Sequence, residues 1–219
     1  MIIAMDGPAG AGKSTVARRA AKALGMHYVD TGAMYRAIAY GIVKSGTSEA
    51  DAEAVVEQMD IDVRYEQDEQ HVYVAGEDVM PFIRTQEISD AASRYSAKPY
   101  VRAKLLETQR QIAKTYEVIM DGRDIGTVVL PDADLKIFIT ANPAERARRR
   151  ALELEMRTGE KQNVQAIEAE IRERDYRDSH REIAPLKQAD DAVLLDTTNL
   201  SIEEVVQEVC RLAEEKKHA

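Results

Sequence analysis

The chain has 219 residues, 44% of them hydrophobic, which suffices for the core of one domain or of two small ones. A formal net charge of -9 argues against a general nucleic-acid-binding protein and favours small anionic substrates in a locally basic cleft. No stretch approaches the roughly 18 apolar residues of a membrane span, and the apolar start lacks the length and charge of a signal peptide. The single cysteine, Cys210, excludes an internal disulfide, and no segment demands a partner subunit. We therefore expect a cytoplasmic monomer.

A strand, a glycine-rich loop and a helix are predicted first. The apolar residues 2–5 suit a buried parallel strand, and residues 7–14 read GPAGAGKS, which matches the phosphate-binding pattern G-x-x-x-x-G-K-S. A helix is expected over 13–24. In such a loop backbone N–H groups converge on a phosphate, the Lys13 ammonium reaches the outer phosphates and the Ser14 hydroxyl binds Mg²⁺. The residues expected to hold the nucleotide are Gly7, Pro8, Ala9, Gly10, Ala11, Gly12, Lys13, Ser14 and Thr15.

Four further apolar runs predict strands at 27–29, 118–120, 135–140 and 192–195. Helical segments separate them, and this alternation is typical of an α/β protein with a parallel sheet. The last helix begins with a capping box formed by Ser201 and Glu204. Its predicted apolar face, which should cover the sheet, consists of Ile202, Val205, Val206, Val209 and Leu212.

Residues 61–79 interrupt this alternation. Apolar and polar residues alternate on both sides of a polar turn over 67–70, with Ile61, Val63 and Tyr65 before the turn and Val72 and Val74 after it. The pattern predicts a small antiparallel sheet in a separate lobe. Beside a nucleotide site, such an insertion is either a flap that grips the substrate or an appendage that stabilises the fold.

Residues 30–36, with the sequence DTGAMYR, follow the second predicted strand. Open parallel sheets place ligand-binding groups at this end of their strands, so residues 31–36 are the first candidate for an acceptor site. The alternative is ordinary helix-start chemistry at Asp30 or Thr31, with a solvated Arg36.

The third strand ends in residues 121–126, DGRDIG, which place three charges beside two glycines. Burying such charges without a ligand is costly. Arg123 can pair with a phosphate, and Asp121 or Asp124 can hold Mg²⁺ through water or accept hydrogen bonds from a substrate. The alternative is an internal Arg–Asp pair on a tight turn.

An arginine-rich helix opens at Asn142 and Pro143 and has the character of a mobile cationic lid. It carries Arg146, Arg148, Arg149, Arg150 and Arg157. Cations are useful in phosphoryl transfer because negative charge spreads over the transferred oxygens. Since Glu145 and Glu153 offer partners on the same helix, at least half of these arginines should be structural.

The next helix carries a stripe that changes from apolar to charged along its length, formed by Ile167, Ile171, Arg174, Asp178 and Arg181. The spacing predicts a helix that leaves the core and presents its charged end to a polar cleft, before Pro185 stops it. The alternative is a ladder of surface ion pairs.

Taken together, the phosphate loop, residues 30–36, residues 121–127 and the RDYRD segment at 174–178 strongly resemble the bacterial cytidylate kinase family. The resemblance covers almost the whole chain. It implies an α/β P-loop NTPase fold with a five-stranded parallel sheet flanked by helices, in one kinase domain over 1–219. It also implies an inserted monophosphate-binding lobe over 37–117, which contains the small antiparallel sheet, and a helical lid over 148–185. The implied reaction transfers the γ-phosphoryl group of ATP, with Mg²⁺, to CMP or dCMP.

The resemblance further implies a role for individual residues. The cytosine edge would contact Ser93, Arg102 and Asp124, in a pocket lined by Tyr35. The acceptor phosphate would be held by Thr31, Arg36, Arg123 and Arg181. The ribose hydroxyls would be reached by Arg174 and Asp178. The implied catalytic cations are Lys13, Arg123 and Arg181, the implied metal ligand is Ser14, and a candidate contact to ATP is Arg157.

Two other functions fit parts of the sequence. The first is another small-molecule P-loop kinase, which phosphorylates a different nucleotide or a metabolite hydroxyl. A hydroxyl acceptor would need a carboxylate base, which Asp30 or Asp124 could supply. A regulatory or nucleic-acid-binding protein could use the arginine-rich segment, although the overall acidity argues against this. An anionic phosphate acceptor needs no dedicated base, and its kinase works mainly by alignment, charge neutralisation and exclusion of water.

Overall fold

Strands and helices alternate along most of the chain in the computed structural model, which describes residues 1–67 and 69–218. The strands are β1 (Ile2–Asp6), β2 (His27–Asp30), β3 (Ile61–Glu66), β4 (Glu69–Val74), β5 (Glu77–Asp78), β6 (Val118–Asp121), β7 (Leu135–Thr140) and β8 (Val193–Asp196). The helices are α1 (Lys13–Leu24), α2 (Thr31–Ser45), α3 (Ala52–Gln58), α4 (Gln86–Tyr95), α5 (Pro99–Thr115), α6 (Pro143–Thr158), α7 (Val164–His180) and α8 (Ile202–Lys217). None of the helices in these two ranges is long and apolar enough to cross a membrane.

The main sheet has five parallel strands in the order β2-β6-β1-β7-β8, which confirms the predicted α/β sheet. Its central strands are apolar and buried on both faces, as expected for a parallel sheet covered on both sides. The register places Met5 opposite Asp121 and Asp121 opposite Asp30. The carboxyl ends of three adjacent strands, β2, β6 and β1, therefore lie side by side.

Alternate residues of these strands enter two different hydrophobic clusters. Ile3 and Met5 pack with α1 and α8 on one face, whereas Ala4 and Met120 pack on the other face with α5 and a π-helical turn at Ile125–Val129. Helix α8 has the predicted capping box, with both reciprocal hydrogen bonds present. Its inner face is formed by Val205, Val209 and Ala213, while the predicted Ile202 is 44% exposed.

A separate core lies in the segment between β2 and β6. Helices α2, α3 and α4 and the first half of α5 enclose a cluster that includes Met34, Ile38, Ile83 and Leu105. The small sheet β3-β4-β5 packs against this cluster through Val72. The boundaries 37–117 for the inserted lobe stay a prediction.

The small sheet differs from the prediction at its turn. Strand β4 already begins at Glu69, because Glu69 pairs with Glu66 and Gln70 with Tyr65. The predicted turn over 67–70 was therefore too long, and its residue 68 lies outside the described residues. The two-residue strand β5 was not predicted.

Helices α6 and α7 form a hairpin with a small core of its own, made of Ala147, Ala151, Ile167 and Ile171. The helix predicted to continue to Pro185 ends at His180, and Arg181 has an extended backbone with φ -66° and ψ 144°. The Arg181 Nε donates to the oxygen of Ala184 at 2.5 Å, which holds the chain in a reversal after the helix. The bounds 148–185 for a lid stay a prediction.

Gly7 packs against the backbone of β7 with no room for a side chain. Its φ is 147°, and a β-carbon there would overlap the carbonyl oxygen of Ile139 on β7. Gly25 is also left-handed, with φ 67°, but an added β-carbon would meet no atom within 4 Å.

Gly7→Ala should therefore destabilise the protein more than Gly25→Ala. We expect Gly25→Ala to lower the free energy of unfolding by about 1 to 2 kcal/mol, the strain of a left-handed residue. Gly7→Ala adds a steric overlap with backbone and should cost about 3 kcal/mol or more. Urea unfolding followed by circular dichroism measures both values. Equal losses would contradict the overlap at Ile139.

Candidate active site

The phosphate loop lies between the end of β1 and the start of α1. Lys13 is the first residue of α1, and its buried Nζ donates to the oxygen of Pro8 at 2.8 Å. Burial lowers the pKa of Lys13, and the nearby Arg123 guanidinium lowers this pKa further. The loop thus holds an ammonium group in a position shielded from water, where it interacts strongly with an anion. Thr15, the last loop residue of the prediction, is exposed on α1.

The hydroxyl of Ser14 and the carboxylate of Asp121 lie together beside this loop. The Ser14 Oγ donates to Asp121 Oδ2 at 2.8 Å, and the Tyr28 hydroxyl donates to Asp121 Oδ1 at 3.1 Å. Burial raises the pKa of Asp121, and the charge of Asp30 adds to this effect. A hydroxyl and a carboxylate are oxygen donors of the type that Mg²⁺ prefers, so the residues present fit such an ion.

Asp124 is the centre of a buried polar group. It accepts hydrogen bonds from Arg102 of α5 and, at 3.3 Å, from Arg181 after α7. The Arg102 guanidinium also lies 5.8 Å from the ring centre of Tyr35. Ser93 lies half-buried on α4, where its backbone oxygen accepts from the Ser96 hydroxyl.

The alternative of an internal pair on the 121–126 turn was wrong, because the charges of this turn pair with other elements. Arg123 Nε donates to Asp178 of α7 at 3.0 Å, and Asp178 is buried. The alternative of a surface ion-pair ladder on α7 was also wrong, because Asp178 and Arg181 pair with Arg123 and Asp124 of this turn and not with each other at the surface. Thr31, at the start of α2, donates from Oγ1 to the backbone oxygen of Asp121 at 2.7 Å.

Arg36, Arg123 and Arg174 form a cluster of positive charge, which we call the arginine cluster. Burial lowers the pKa of Arg174 to about 10, and the guanidinium groups of Arg123 and Arg36 act in the same direction. Within the described residues, the Nε atoms of Arg36 and Arg174 are buried and have no hydrogen-bond partner. Buried donors without partners are costly, and an anionic ligand would satisfy them.

Asp30 balances part of this charge. Its carboxylate accepts from the Ala33 N–H at 2.8 Å and so caps α2, which agrees with the helix-start interpretation of residues 30–36. The same carboxylate pairs with Arg36 at 3.2 Å and with Arg84 at 3.3 Å. Arg36 is therefore not a solvated side chain, and the two interpretations of this segment hold together.

The arginines of α6 are mostly bound within the protein, which confirms the structural role expected for at least half of them. Arg146 is buried, donates to the oxygen of Ala9 at 2.7 Å and pairs with Asp175 at 2.6 Å. Asp175 also accepts from the Ala9 N–H at 3.3 Å, so α6 and α7 both contact the phosphate loop. The remaining pairs on this helix join Glu145 to Arg148 and Arg149, and Glu153 to Arg150. The candidate ATP contact, Arg157, is exposed in the last turn of α6.

A family model described as cytidylate kinase matches residues 3–215 of this chain. The chain belongs to the cytidylate kinase family. A cytidylate kinase of Lactobacillus johnsonii is 50% identical over 220 residues, which cover 99% of this chain and 95% of that protein. A cytidylate kinase of Ligilactobacillus salivarius is 48% identical and covers 99% of this chain and 97% of that protein. The resemblance seen in the sequence is thus confirmed.

Solved structures with low sequence identity share the fold. A shikimate kinase of Acinetobacter baumannii in complex with shikimate has a TM-score of 0.50 and 15% identity, and the match covers 99% of this chain and 94% of that one. An uncharacterised protein of Eubacterium ventriosum has a TM-score of 0.52 and 11% identity, with 98% of each chain covered. At these identities the likeness extends to the fold alone.

Sequence reasoning missed several residues that shape this cytidylate kinase family site. Arg84 and Tyr28 lie outside every motif of the sequence. Asp175 lies within the RDYRD segment at 174–178, but it was given no role. Asp6 follows the apolar residues 2–5 and was given no role, although an acidic residue directly before the phosphate loop is a sequence signal for a functional position.

Asp6 links the phosphate loop to the turn that carries Asp124. Its carboxylate accepts from the N–H groups of Ile125 and Gly126 at 2.8 and 2.7 Å, and the residue is only 5% exposed. Burial raises the pKa of Asp6 to about 6 in spite of these two donors. The ionised form is therefore held at a cost in folding free energy.

Asp6→Asn should change the pH dependence of stability. The raised folded pKa, about 6 against 3.8 unfolded, means that the native state binds the additional proton between these values. The Asp6 contribution to stability therefore falls as the pH rises from about 4 to about 6, by up to about 3 kcal/mol. We expect the stability of wild type relative to Asp6→Asn to fall by this order over that range in urea unfolding. The exposed Asp132→Asn is the control, and a difference independent of pH would contradict the prediction.

Proposed function

We propose that this protein transfers the γ-phosphoryl group of ATP to CMP or dCMP, giving ADP and CDP or dCDP. Membership of the cytidylate kinase family, with relatives named cytidylate kinase at about half identity over nearly the full chain, supports the reaction. Residue roles are proposed from the geometry of this chain.

The arginine cluster is the observation that carries the proposal. Arg123 and Arg174 concentrate positive charge next to Lys13 of the phosphate loop, and Arg36 adds its charge beside Arg174. Arg36 and Arg174 each hold a buried donor without a partner in the described residues. A nucleoside monophosphate is a ligand that meets both conditions. Its dianionic phosphate matches the positive charge and can accept hydrogen bonds from Arg36 and Arg123, and its ribose oxygens can accept from Arg174. Arg123 would then lie between donor and acceptor phosphates, with Arg181 and Thr31 at the acceptor side.

The base of the acceptor is proposed to lie at the buried Arg102–Asp124 pair, with Ser93 and Tyr35 beside it. Cytosine offers an amino donor next to ring acceptors, and a carboxylate beside a guanidinium supplies the complementary acceptor and donors. Arg174 and Asp178, at the charged end of α7, would reach the ribose hydroxyls.

The donor nucleotide is proposed to bind in the loop of residues 7–15, with Arg157 as a further contact when the hairpin of α6 and α7 closes. Ser14 would hold Mg²⁺, and Asp121, which accepts from the Ser14 hydroxyl, would hold it through water. When bound, Mg²⁺ neutralises charge on the β- and γ-phosphates. Lys13 would stabilise the charge that develops on the transferred group, while Arg146 and Asp175 fix the loop at Ala9.

A kinase for hydroxyl acceptors fits this site less well. Its base would have to be Asp30 or Asp124, and both are held in ion pairs, Asp30 with Arg36 and Arg84 and Asp124 with Arg102 and Arg181. A phosphate acceptor is already anionic and needs no such base. We also propose that the protein acts in the cytoplasm, which the single cysteine favours, and that it is a monomer, since no segment of the sequence demands a partner subunit.

An acceptor screen tests the proposed function. ADP release from ATP and Mg²⁺ is measured with CMP, dCMP, UMP, AMP, GMP, shikimate or no acceptor. We expect turnover with CMP and dCMP well above the turnover with the other acceptors. Turnover only with another acceptor, or hydrolysis without any acceptor, would overturn the proposal.

Lys13→Ala should abolish turnover in a folded protein, because the transferred phosphoryl group loses its ammonium partner. The same ADP-release assay measures this loss, and full activity of Lys13→Ala would remove Lys13 from the mechanism.

Asp124→Ala should reduce the preference for cytosine. Removing a charged hydrogen-bond partner is expected to lower the CMP-to-UMP ratio of kcat/KM by about 10- to 100-fold. Asp124→Asn retains the shape and guards against a folding defect, since Arg102 and Arg181 keep an acceptor. Asp132→Ala, at an exposed loop position, is the matched control. An unchanged ratio in both Asp124 variants would exclude this carboxylate from base recognition.

A further inference from the structure

Gln70 of β4 makes an unusual contact between the small sheet and the main sheet. Its side chain is only 8% exposed. The Oε1 accepts from the Asp30 N–H at 2.7 Å, and the Nε2 donates to the Asp30 backbone oxygen at 3.2 Å. One side-chain amide thus satisfies both backbone groups of a buried residue at the end of β2.

This contact occurs at the edge of the main sheet, because β2 is an outer strand. The outer strand of a sheet leaves backbone groups unpaired unless another element covers them. Here side chains of the small sheet provide the cover, with Tyr65 donating to the oxygen of Tyr28 at 3.4 Å beside the Gln70 contact. The small sheet is therefore docked on the main sheet, which argues against a freely moving flap.

Asp30 is the residue at which this docking meets the arginine cluster. Its backbone is held by Gln70, one carboxylate oxygen caps α2 through the Ala33 N–H, and the other pairs with Arg36 and Arg84. Arg84 comes from the loop before α4, and its side chain is half-exposed. A shift of the Asp30 backbone would move the common partner of both guanidinium groups.

We propose that Gln70 is a positioning residue for the acceptor phosphate, and that Arg84 belongs to the same phosphate-binding set as Arg36. Gln70 fixes Asp30, and Asp30 holds the two guanidinium groups at the acceptor side of the cleft. The inference rests on the proposed function for the identity of the acceptor. The small sheet, in this interpretation, is a fixed brace for substrate binding.

The test uses Gln70→Met, which keeps the length of the side chain and removes both hydrogen bonds. We expect the KM for CMP to rise about tenfold or more, since a buried donor and acceptor lose their partners, while the KM for ATP changes less than about twofold. Amide hydrogen exchange at residues 30–33 should accelerate. Glu69→Ala, at an exposed position of the same strand, should leave all three quantities unchanged.

A double-mutant cycle separates positioning from a general structural role. If Gln70 acts through the guanidinium groups on Asp30, Gln70→Met should raise the KM for CMP by less than about threefold when Arg36→Met is already present. Full additivity with Arg36→Met would overturn the inference. So would a lower melting temperature with both KM values unchanged. Arg84→Met should raise the KM for CMP on its own, and an unchanged value would remove Arg84 from the set.

If wild type phosphorylates CMP but Gln70→Met affects ATP and CMP equally, the inference fails and the function stands. If wild type phosphorylates no nucleoside monophosphate, the function fails, and hydrogen exchange at residues 30–33 still decides whether Gln70 holds Asp30. Unchanged exchange there overturns the inference in either case.

Discussion

Three buried carboxylates at neighbouring strand ends impose the main constraint on this structure. Asp6, Asp30 and Asp121 end β1, β2 and β6, and each is nearly inaccessible to water. Like charges at this spacing repel, so each carboxylate requires its own compensation. Asp6 takes two backbone N–H groups, Asp30 takes a helix cap and two guanidinium groups, and Asp121 takes two hydroxyls. The positions of Arg36 and Arg84 follow from the charge of Asp30, while the other two acids are compensated by neutral donors.

The same arrangement ties the hairpin of α6 and α7 to the phosphate loop. Ala9 donates its N–H to Asp175 and accepts from Arg146 through its oxygen, so one loop residue contacts both helices. The core that α6 and α7 share is small, with two alanines and two isoleucines buried and Leu154 packed against them. Its position at the loop is therefore set mainly by polar contacts, and these are sensitive to charge arriving in the loop.

Most of the fold could be predicted from local features of the sequence. Apolar runs buried on both faces give strands such as β7 at their predicted bounds, and the capping box marks the start of α8. Gln70 was placed in a turn because a polar residue normally lies there, whereas its burial depends on Asp30, 40 residues away in the chain. The Arg102–Asp124 and Arg123–Asp178 pairs join residues 22 and 55 positions apart. The residue types of the site were predictable, but the choice of ionic partners is a property of the tertiary structure.

The burial of the Asp124 pairs has a consequence for ionic strength. Mobile ions screen exposed charges over about 8 Å at physiological salt but reach buried pairs poorly. Arg102 and Arg181 are almost fully covered, whereas the Arg148 and Arg150 pairs on α6 face the solvent. Salt should therefore weaken the exposed ion pairs of α6 and the long-range attraction of an incoming phosphate. The geometry of the Asp124 pairs with Arg102 and Arg181, where the base is proposed to bind, should stay the same. The rate of substrate capture and the selectivity for the base are, on these grounds, separable properties of the site.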